Sequence, residues 1–66
     1  MHSYNLTATL SGKTERVRLY ALDDESALFQ AISEIMDRAH KKANAWALGQ
    51  IILERNGEIL ATMREK

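Results

Sequence analysis

The chain has 66 residues, of which nine are basic and nine acidic, so its formal net charge at neutral pH is zero. This balance gives no overall field that would favour nucleic acid, an anionic membrane or an acidic substrate. The lack of cysteine excludes disulfides and thiolate metal sites. No stretch has the roughly 20 apolar residues that span a bilayer, and no signal peptide is evident. We therefore expect one cytoplasmic domain over residues 1–66.

Two strands are predicted at the start of the chain. Apolar and polar residues alternate strictly from Tyr4 to Ser11, which predicts a strand over residues 3–11 with one apolar face. Gly12 interrupts this alternation, which then resumes in a second strand predicted over residues 15–21. The two strands are expected to form a hairpin. The outer face of this hairpin would carry Arg16, Arg18 and Tyr20.

One helix is predicted over residues 24–43. Asp23 is a suitable N-cap, because a short carboxylate accepts hydrogen bonds from the free amides of the first turn. The apolar residues that recur at helical spacing are expected to form the buried stripe: Leu28, Ala31, Ile32, Ile35, Met36 and Ala39. Cationic residues gather at the opposite end, where the helix dipole is negative. These residues are Arg38, His40, Lys41 and Lys42.

Two apolar strands are predicted over residues 45–54 and 58–64, around the hairpin signal Asn56-Gly57. Trp46, the single tryptophan, is expected to fill the core at the corner between helix and strand. The second and fourth strands carry or adjoin charged residues, which is typical of edge strands. We therefore predict an α+β domain of ββαββ type, with a four-stranded antiparallel sheet in the order 2-1-3-4 and one helix on one face.

The turn length of the second hairpin decides which side chains face the core. A two-residue turn at Asn56-Gly57 places Glu58 on the better core face, and an unpaired buried carboxylate costs several kcal/mol. A three-residue loop from Arg55 to Gly57, with Gly57 at a bulge, gives an entirely apolar face instead. That face consists of Ile51, Leu53, Ile59, Ala61 and Met63. We therefore predict the three-residue loop, which places Ile52 opposite Leu60 on the outer face.

The outer sheet face is the predicted partner-binding surface. One helix covers only one face of a four-stranded sheet, so the other face meets water or a partner. Tyrosine and arginine are enriched in protein interfaces. The predicted partner-binding residues are Arg16, Arg18, Tyr20, Gln50, Ile52, Leu60, Thr62 and Arg64. The alternative is a solvated face with two tolerated apolar residues.

These features predict a non-enzymatic protein–protein interaction module. We expect a homodimer that binds or blocks a macromolecular partner, for example a phage or mobile-element inhibitor of a host factor. The alternative is a small nucleic-acid-binding protein that uses the arginines of the outer face or the basic helix end, namely Arg38, His40, Lys41 and Lys42. No motif indicates catalysis, a cofactor or a small-molecule substrate, and the spacing of the histidines and aspartates indicates no metal site.

Overall fold

The computed structural model describes residues 1–41 and 44–64. Within these residues the chain forms four strands and two helices. They are β1 (His2–Leu10), β2 (Lys13–Ala21), α1 (Asp24–His40), α2 (Asn44–Leu48), β3 (Gln50–Arg55) and β4 (Glu58–Arg64). The strands form one antiparallel sheet in the order β2-β1-β3-β4, and α1 packs on its inner face. The predicted α+β class and strand order are confirmed.

The third strand is shorter than predicted. It was expected over residues 45–54, but it begins at Gln50, because residues 44–48 form the short helix α2. A short apolar run is compatible with a strand or with a buried helical turn, and periodicity does not distinguish the two. This helix buries Trp46, whose side chain is only 2% exposed. The predicted role of Trp46 as a core residue at the helix-to-strand corner is therefore confirmed.

Gly49 makes the corner between α2 and β3. Its amide donates a hydrogen bond to the Ala45 carbonyl oxygen at 3.1 Å. A Cβ at this position would collide with the backbone carbonyl oxygen of Thr9 and lie 2.7 Å from that of Ala45. Both obstacles are backbone atoms, so the chain approaches β1 closely here only because residue 49 has no side chain.

The helix α1 starts where the capping residue predicts. The Asp23 carboxylate accepts a hydrogen bond from the Ser26 backbone amide at 2.8 Å. This bond stabilises the ionised form and lowers the pKa of Asp23 below its ordinary value. The helix ends at His40, with Lys41 as the C-cap. The last two residues of the predicted span, 42 and 43, lie outside the described residues.

The core lies between the inner sheet face and the two helices. Its buried members are Tyr4, Leu6, Ala8, Leu19, Ala21, Ala27, Ala31, Ala45, Trp46, Ile51 and Leu53. From α1 only Ala27 and Ala31 are fully buried. Small side chains let the helix backbone approach the sheet, so the alanines, rather than the larger residues beside them, occupy the contact.

Both hairpins have two-residue turns. Ser11 and Gly12 have φ angles of 51° and 83°, and Asn56 and Gly57 have angles of 51° and 82°. Positive φ at both central residues is the type I′ turn, whose twist matches the flanking strands. The predicted three-residue loop is therefore wrong, since Arg55 already pairs with Glu58 in the β3–β4 ladder.

A bulge restores the apolar inner face that the shorter turn would disrupt. Glu54 lies opposite Ile59, whereas Leu53 lies opposite Ala61, so Leu60 is an extra residue in β4. Beyond the bulge, Ala61 and Met63 both face inward, opposite the buried residues Leu53 and Ile51 of β3. Ile59, which was predicted to face inward, lies on the outer face instead.

The two-residue turn does not bury the Glu58 carboxylate. Glu58 lies at the exposed end of the sheet, so it loses little hydration. Its neighbour Arg55 is half-buried and donates to the Asp24 carboxylate at 3.0 Å, and the buried Tyr4 hydroxyl donates to the same oxygen at 2.9 Å. Burial, together with the hydrogen bond to Asp24, raises the pKa of Tyr4. This cluster ties β1, α1 and β3 together.

Candidate interaction surfaces

Strand pairing places seven of the eight predicted partner-binding residues on the outer sheet face. Arg18 lies opposite Asn5, and Arg16 lies opposite Thr7. The pairing puts seven predicted residues at positions that face away from the helices: Arg16, Arg18, Tyr20, Gln50, Ile52, Thr62 and Arg64. The centre of this face is a polar row of short side chains from β1, and the arginines lie towards its two edges.

Leu60 is the exception. The bulge makes it half-buried and packs it against the core, so it is not opposite Ile52 as predicted. Ile52 instead lies between Thr7 and Thr62, where it is half-buried. The outward apolar residue of β4 is Ile59, which is 59% exposed. The predicted apolar pair therefore does not exist, and the exposed apolar group on this face lies nearer the turn.

The outer face carries an excess of positive charge. Three of its positions are arginines, at residues 16, 18 and 64, whereas Glu54 supplies one carboxylate among the described residues of this face. Tyr20 is half-exposed and lies on the same strand as two of the arginines. This face can therefore offer hydrogen-bond donors and an aromatic ring to a partner.

The basic helix end is already partly neutralised by acidic residues of its own helix. Arg38 donates to the Glu34 carboxylate at 3.1 Å, and its guanidinium lies 5.5 Å from the centre of the Trp46 ring. Lys41 lies 3.2 Å from the Asp37 carboxylate. Because α1 lies on the inner face, this end lies on the other side of the sheet from Arg16 and Arg18, whereas Arg64 borders the same cleft as Ala39. His40 is exposed, and the predicted contact Lys42 lies outside the described residues.

Three of the six residues of the predicted buried stripe of α1 are exposed, namely Leu28, Ile32 and Met36. Ala31 alone is fully buried, and Ile35 and Ala39 are half-buried. Ile32 is 49% exposed and Met36 is 68% exposed. The helix lies closest to β2, at the edge of the sheet remote from β4. Its apolar flank therefore overhangs the β3–β4 half of the sheet without touching a further layer.

An apolar groove, which we call the inner groove, runs between α1 and the inner face of β3 and β4. Its helix wall and floor are Leu28, Ile32, Ile35, Met36 and Ala39 from α1, with Ile51, Leu53, Ala61, Met63 and Arg64 from the strands. It contains a small wholly apolar cavity of about 30 Å³ and a wider cleft of about 320 Å³. The two hollows share Ile35, Ile51 and Met63, so they form one continuous depression.

Sequence reasoning missed the inner groove, although the sequence contains a signal for it. The apolar arc of α1 extends from the buried Ala27 around to Phe29, about 200° of the helix circumference at 100° per residue. A helix lying on a single sheet needs an apolar arc of only about 100°. An apolar arc this wide in such a short chain indicates that part of it is left uncovered by the chain itself.

No family model, curated protein or solved structure matches this chain. Over residues 1–41 and 44–64, none of the helices is both long and apolar enough to cross a membrane. The same described residues contain no group of three or more histidine, aspartate or glutamate side chains placed to hold a metal ion. The chain's location in the cell, its partners and its activity are therefore matters for proposal.

Proposed function

We propose that this chain is a non-enzymatic protein–protein interaction module that acts by binding or blocking a macromolecular partner. The observation that carries the proposal is the outer face, where Arg16, Arg18 and the exposed Tyr20 lie on one strand, and the inner groove adds a second surface suited to association. Large apolar side chains of Leu28, Ile32, Met36 and Met63 are exposed together around one groove. Contiguous exposed apolar surface of this kind marks interaction sites in soluble proteins.

The two faces of the sheet suit two different contacts. The inner groove offers apolar surface, which favours a lasting contact because its exposure to water is unfavourable. The outer face offers arginines, Tyr20 and short polar side chains, which suit a contact chosen by charge and hydrogen bonding. We assign the macromolecular partner to the outer face. A small inhibitor of a host factor, encoded by a phage or mobile element, would act in this way by occupying its target.

Capture of the partner from source-cell extract by the tagged full-length chain tests the outer-face assignment. The variants Arg18→Glu and Tyr20→Ala should reduce the captured protein at least about tenfold, the effect of one interface hot-spot residue. The matched control is Lys13→Glu, which makes the same charge change on the same strand but pairs with Leu10 on the inner side. Equal capture by all three variants and the unmodified chain would contradict the assignment.

Nucleic acid is the second candidate partner, and the charge excess of the outer face favours it. In this case Arg16, Arg18 and Arg64 would contact phosphates while Tyr20 stacks on a base. Three phosphate contacts predict a slope of roughly −2 to −3 in a plot of log affinity against log salt. Fluorescence anisotropy with single-stranded RNA and duplex DNA measures this slope. We expect no binding at physiological salt, and steep, arginine-dependent binding would instead establish the second candidate.

A further inference from the structure

We infer that the inner groove binds a second copy of this chain, giving a symmetric dimer in which the two α1 helices run antiparallel. This inference deepens the proposed function and rests on it, since it assigns one of the two surfaces to self-association. It leaves Arg16, Arg18 and Tyr20 of the outer face free for the macromolecular partner. Three features of the described residues support the second copy as the occupant: surface area, groove geometry and charge.

The accessible surface of the chain is larger than a compact monomer of its mass requires. The surface measures 4802 Å² for a mass of 7.5 kDa, whereas the scaling of monomeric proteins gives roughly 4,250 Å², an excess of about 550 Å². A standard interface buries about 800 Å² on each partner. The excess is therefore a large part of the area that each copy contributes to a stable dimer.

The groove has the geometry that a two-fold contact requires. Leu28, at the start of α1, lines the groove together with Leu53 and Ala61, whereas Met36 and Ala39 line the other end with Met63 and Arg64. The helix and β4 therefore run in the same direction along the groove. Since β4 is an edge strand, a second copy can approach the groove from this side. A two-fold axis perpendicular to α1 makes the two helices antiparallel and brings each apolar flank against its counterpart.

Charges at the two ends of the contact complement each other under this symmetry. Glu25 is exposed and lies seven residues before Ile32, so it occupies the N-terminal end of the same helix flank. Arg64 is the exposed last residue of the edge strand β4, where its pairing with Gln50 gives it the outward phase, and it also borders the groove at the opposite end. Reversing the direction of one copy places Glu25 against Arg64 of the partner subunit, and the symmetry makes this pair twice. A parallel arrangement would instead bring like charges together.

Light scattering coupled to gel filtration tests the dimer across a wide range of protein concentration. The particle measured for the unmodified protein should have twice the 7.5 kDa mass of one chain. Ile32→Asp, in the middle of the flank, should raise the dimer dissociation constant at least about a hundredfold, in keeping with loss of a central interface residue. The control is Ser33→Asp, one residue further on the polar flank, which should leave the mass unchanged. Circular dichroism checks that both variants retain the fold.

A charge-reversal set separates the second copy from any other occupant of the groove. Glu25→Arg and Arg64→Glu should each weaken the dimer, and the double variant should recover most of the lost affinity. Such recovery requires that the two residues meet across the interface of two identical chains. A double variant no tighter than the weaker single variant would overturn the antiparallel arrangement.

The remaining outcomes are equally decisive. A chain that stays monomeric at all concentrations, or a dimer broken by Ile59→Asp on the outer face but not by Ile32→Asp, would overturn the inference. Either result leaves the partner-capture experiment intact, because that experiment depends on Arg18 and Tyr20. Conversely, a dimer that Ile32→Asp breaks, together with equal capture by the Arg18→Glu and Tyr20→Ala variants and the unmodified chain, would support the dimer and contradict the outer-face function.

Discussion

The two hairpins of the sheet have the same turn but different ladders. Both turns contain two residues in the left-handed region, with φ angles that agree within a degree. The β1–β2 ladder then runs without interruption from Leu10↔Lys13 to His2↔Ala21, whereas the β3–β4 ladder shifts by one residue at Leu60. The same local chemistry therefore leads to two different pairings.

Turn type and strand phase are therefore decided separately in this sheet. Asn56 and Gly57 set the turn, because their backbones accept positive φ at little cost. Burial sets the phase further along the strand, since a shift of one residue exchanges the two faces. In the first hairpin both requirements agree. In the second they conflict, and the additional residue in β4 satisfies both.

The hairpins also differ in how they are covered. The first lies closest to α1, and its inner face is closed by the alanines of that helix. The second has an open inner face, where Met63 remains half-exposed. The half of the sheet with the irregular ladder is thus also the half with unsatisfied apolar surface.

Deleting one residue from each hairpin should give the largest contrast. Removing the half-buried Leu60 eliminates the bulge but keeps the faces of β4, so we expect a folded protein that loses only about 1–2 kcal/mol of packing. Removing the half-buried Val17 from the regular β2 ladder exchanges the faces of one part of the strand and displaces Leu19 or its neighbours from the core. That variant should not fold. Urea unfolding followed by circular dichroism measures both, and equal losses would contradict the bulge assignment.

Gly49→Ala should destabilise the corner where the chain passes from α2 into the second hairpin. A methyl group here meets the backbone of Thr9 and Ala45, so the free energy of unfolding should fall by about 3 kcal/mol. Gly57→Ala is the control, because nothing lies near its added Cβ and only its positive φ matters, at about 1–2 kcal/mol. Chemical denaturation would refute the close-approach argument if Gly57→Ala were the more damaging of the two.

Exchanging the first turn residues should show whether the two turns are equivalent. Serine rarely adopts positive φ, whereas asparagine does so several-fold more often, so Ser11→Asn should stabilise the protein by about 0.5–1 kcal/mol. Asn56→Ser should destabilise it by a similar amount, because the φ angles are the same. Thermal unfolding of both variants provides the comparison. A change at one site without its opposite at the other would show that the ladders influence their turns.

Low pH should destabilise the N-cap of α1 at Asp23, and we expect this loss of stability to be the smallest of the four effects. The hydrogen bond from the Ser26 amide lowers the pKa of Asp23 below 3.8, its ordinary value. A lowered pKa contributes stability that is present above the ordinary value and is lost as the pH falls through the lowered one. Asp23→Asn keeps an accepting oxygen without titrating. Its denaturation midpoint should therefore fall less steeply in acid than that of the unmodified chain, and identical acid profiles would contradict this role.

Much of the fold could be predicted because strand alternation is a local property. The alternation in β1 and β2 predicts their faces, and charge on the edge strands predicts the order of the sheet. The turn of the second hairpin was mispredicted because exposure of Glu58 at the sheet end depends on the assembled structure. The position of α2 was missed because residues 44–48 suit a strand as well as a helix.

The surfaces were predicted less completely than the fold. Phase alone placed seven of the eight expected residues on the outer face, and the bulge moved only Leu60 inward. The wide apolar arc of α1 indicates an uncovered flank, but which strands that flank overhangs depends on the lateral position of the helix on the sheet. Close packing of Ala27 and Ala31 draws the helix towards β2 and leaves Ile32 without a neighbour.

The bulge at Leu60 also bears on the fate of the exposed sheet edge at high concentration. An edge strand with free hydrogen-bonding groups is a template for open-ended stacking of chains into fibrils. Such stacking needs about six or seven residues that alternate in one phase. In β4 the phase changes at Leu60, so Ile59 and Ala61 face opposite sides and neither segment of the strand reaches that length. The residue that reconciles the second hairpin with its core thus also shortens the template that a fibril would require.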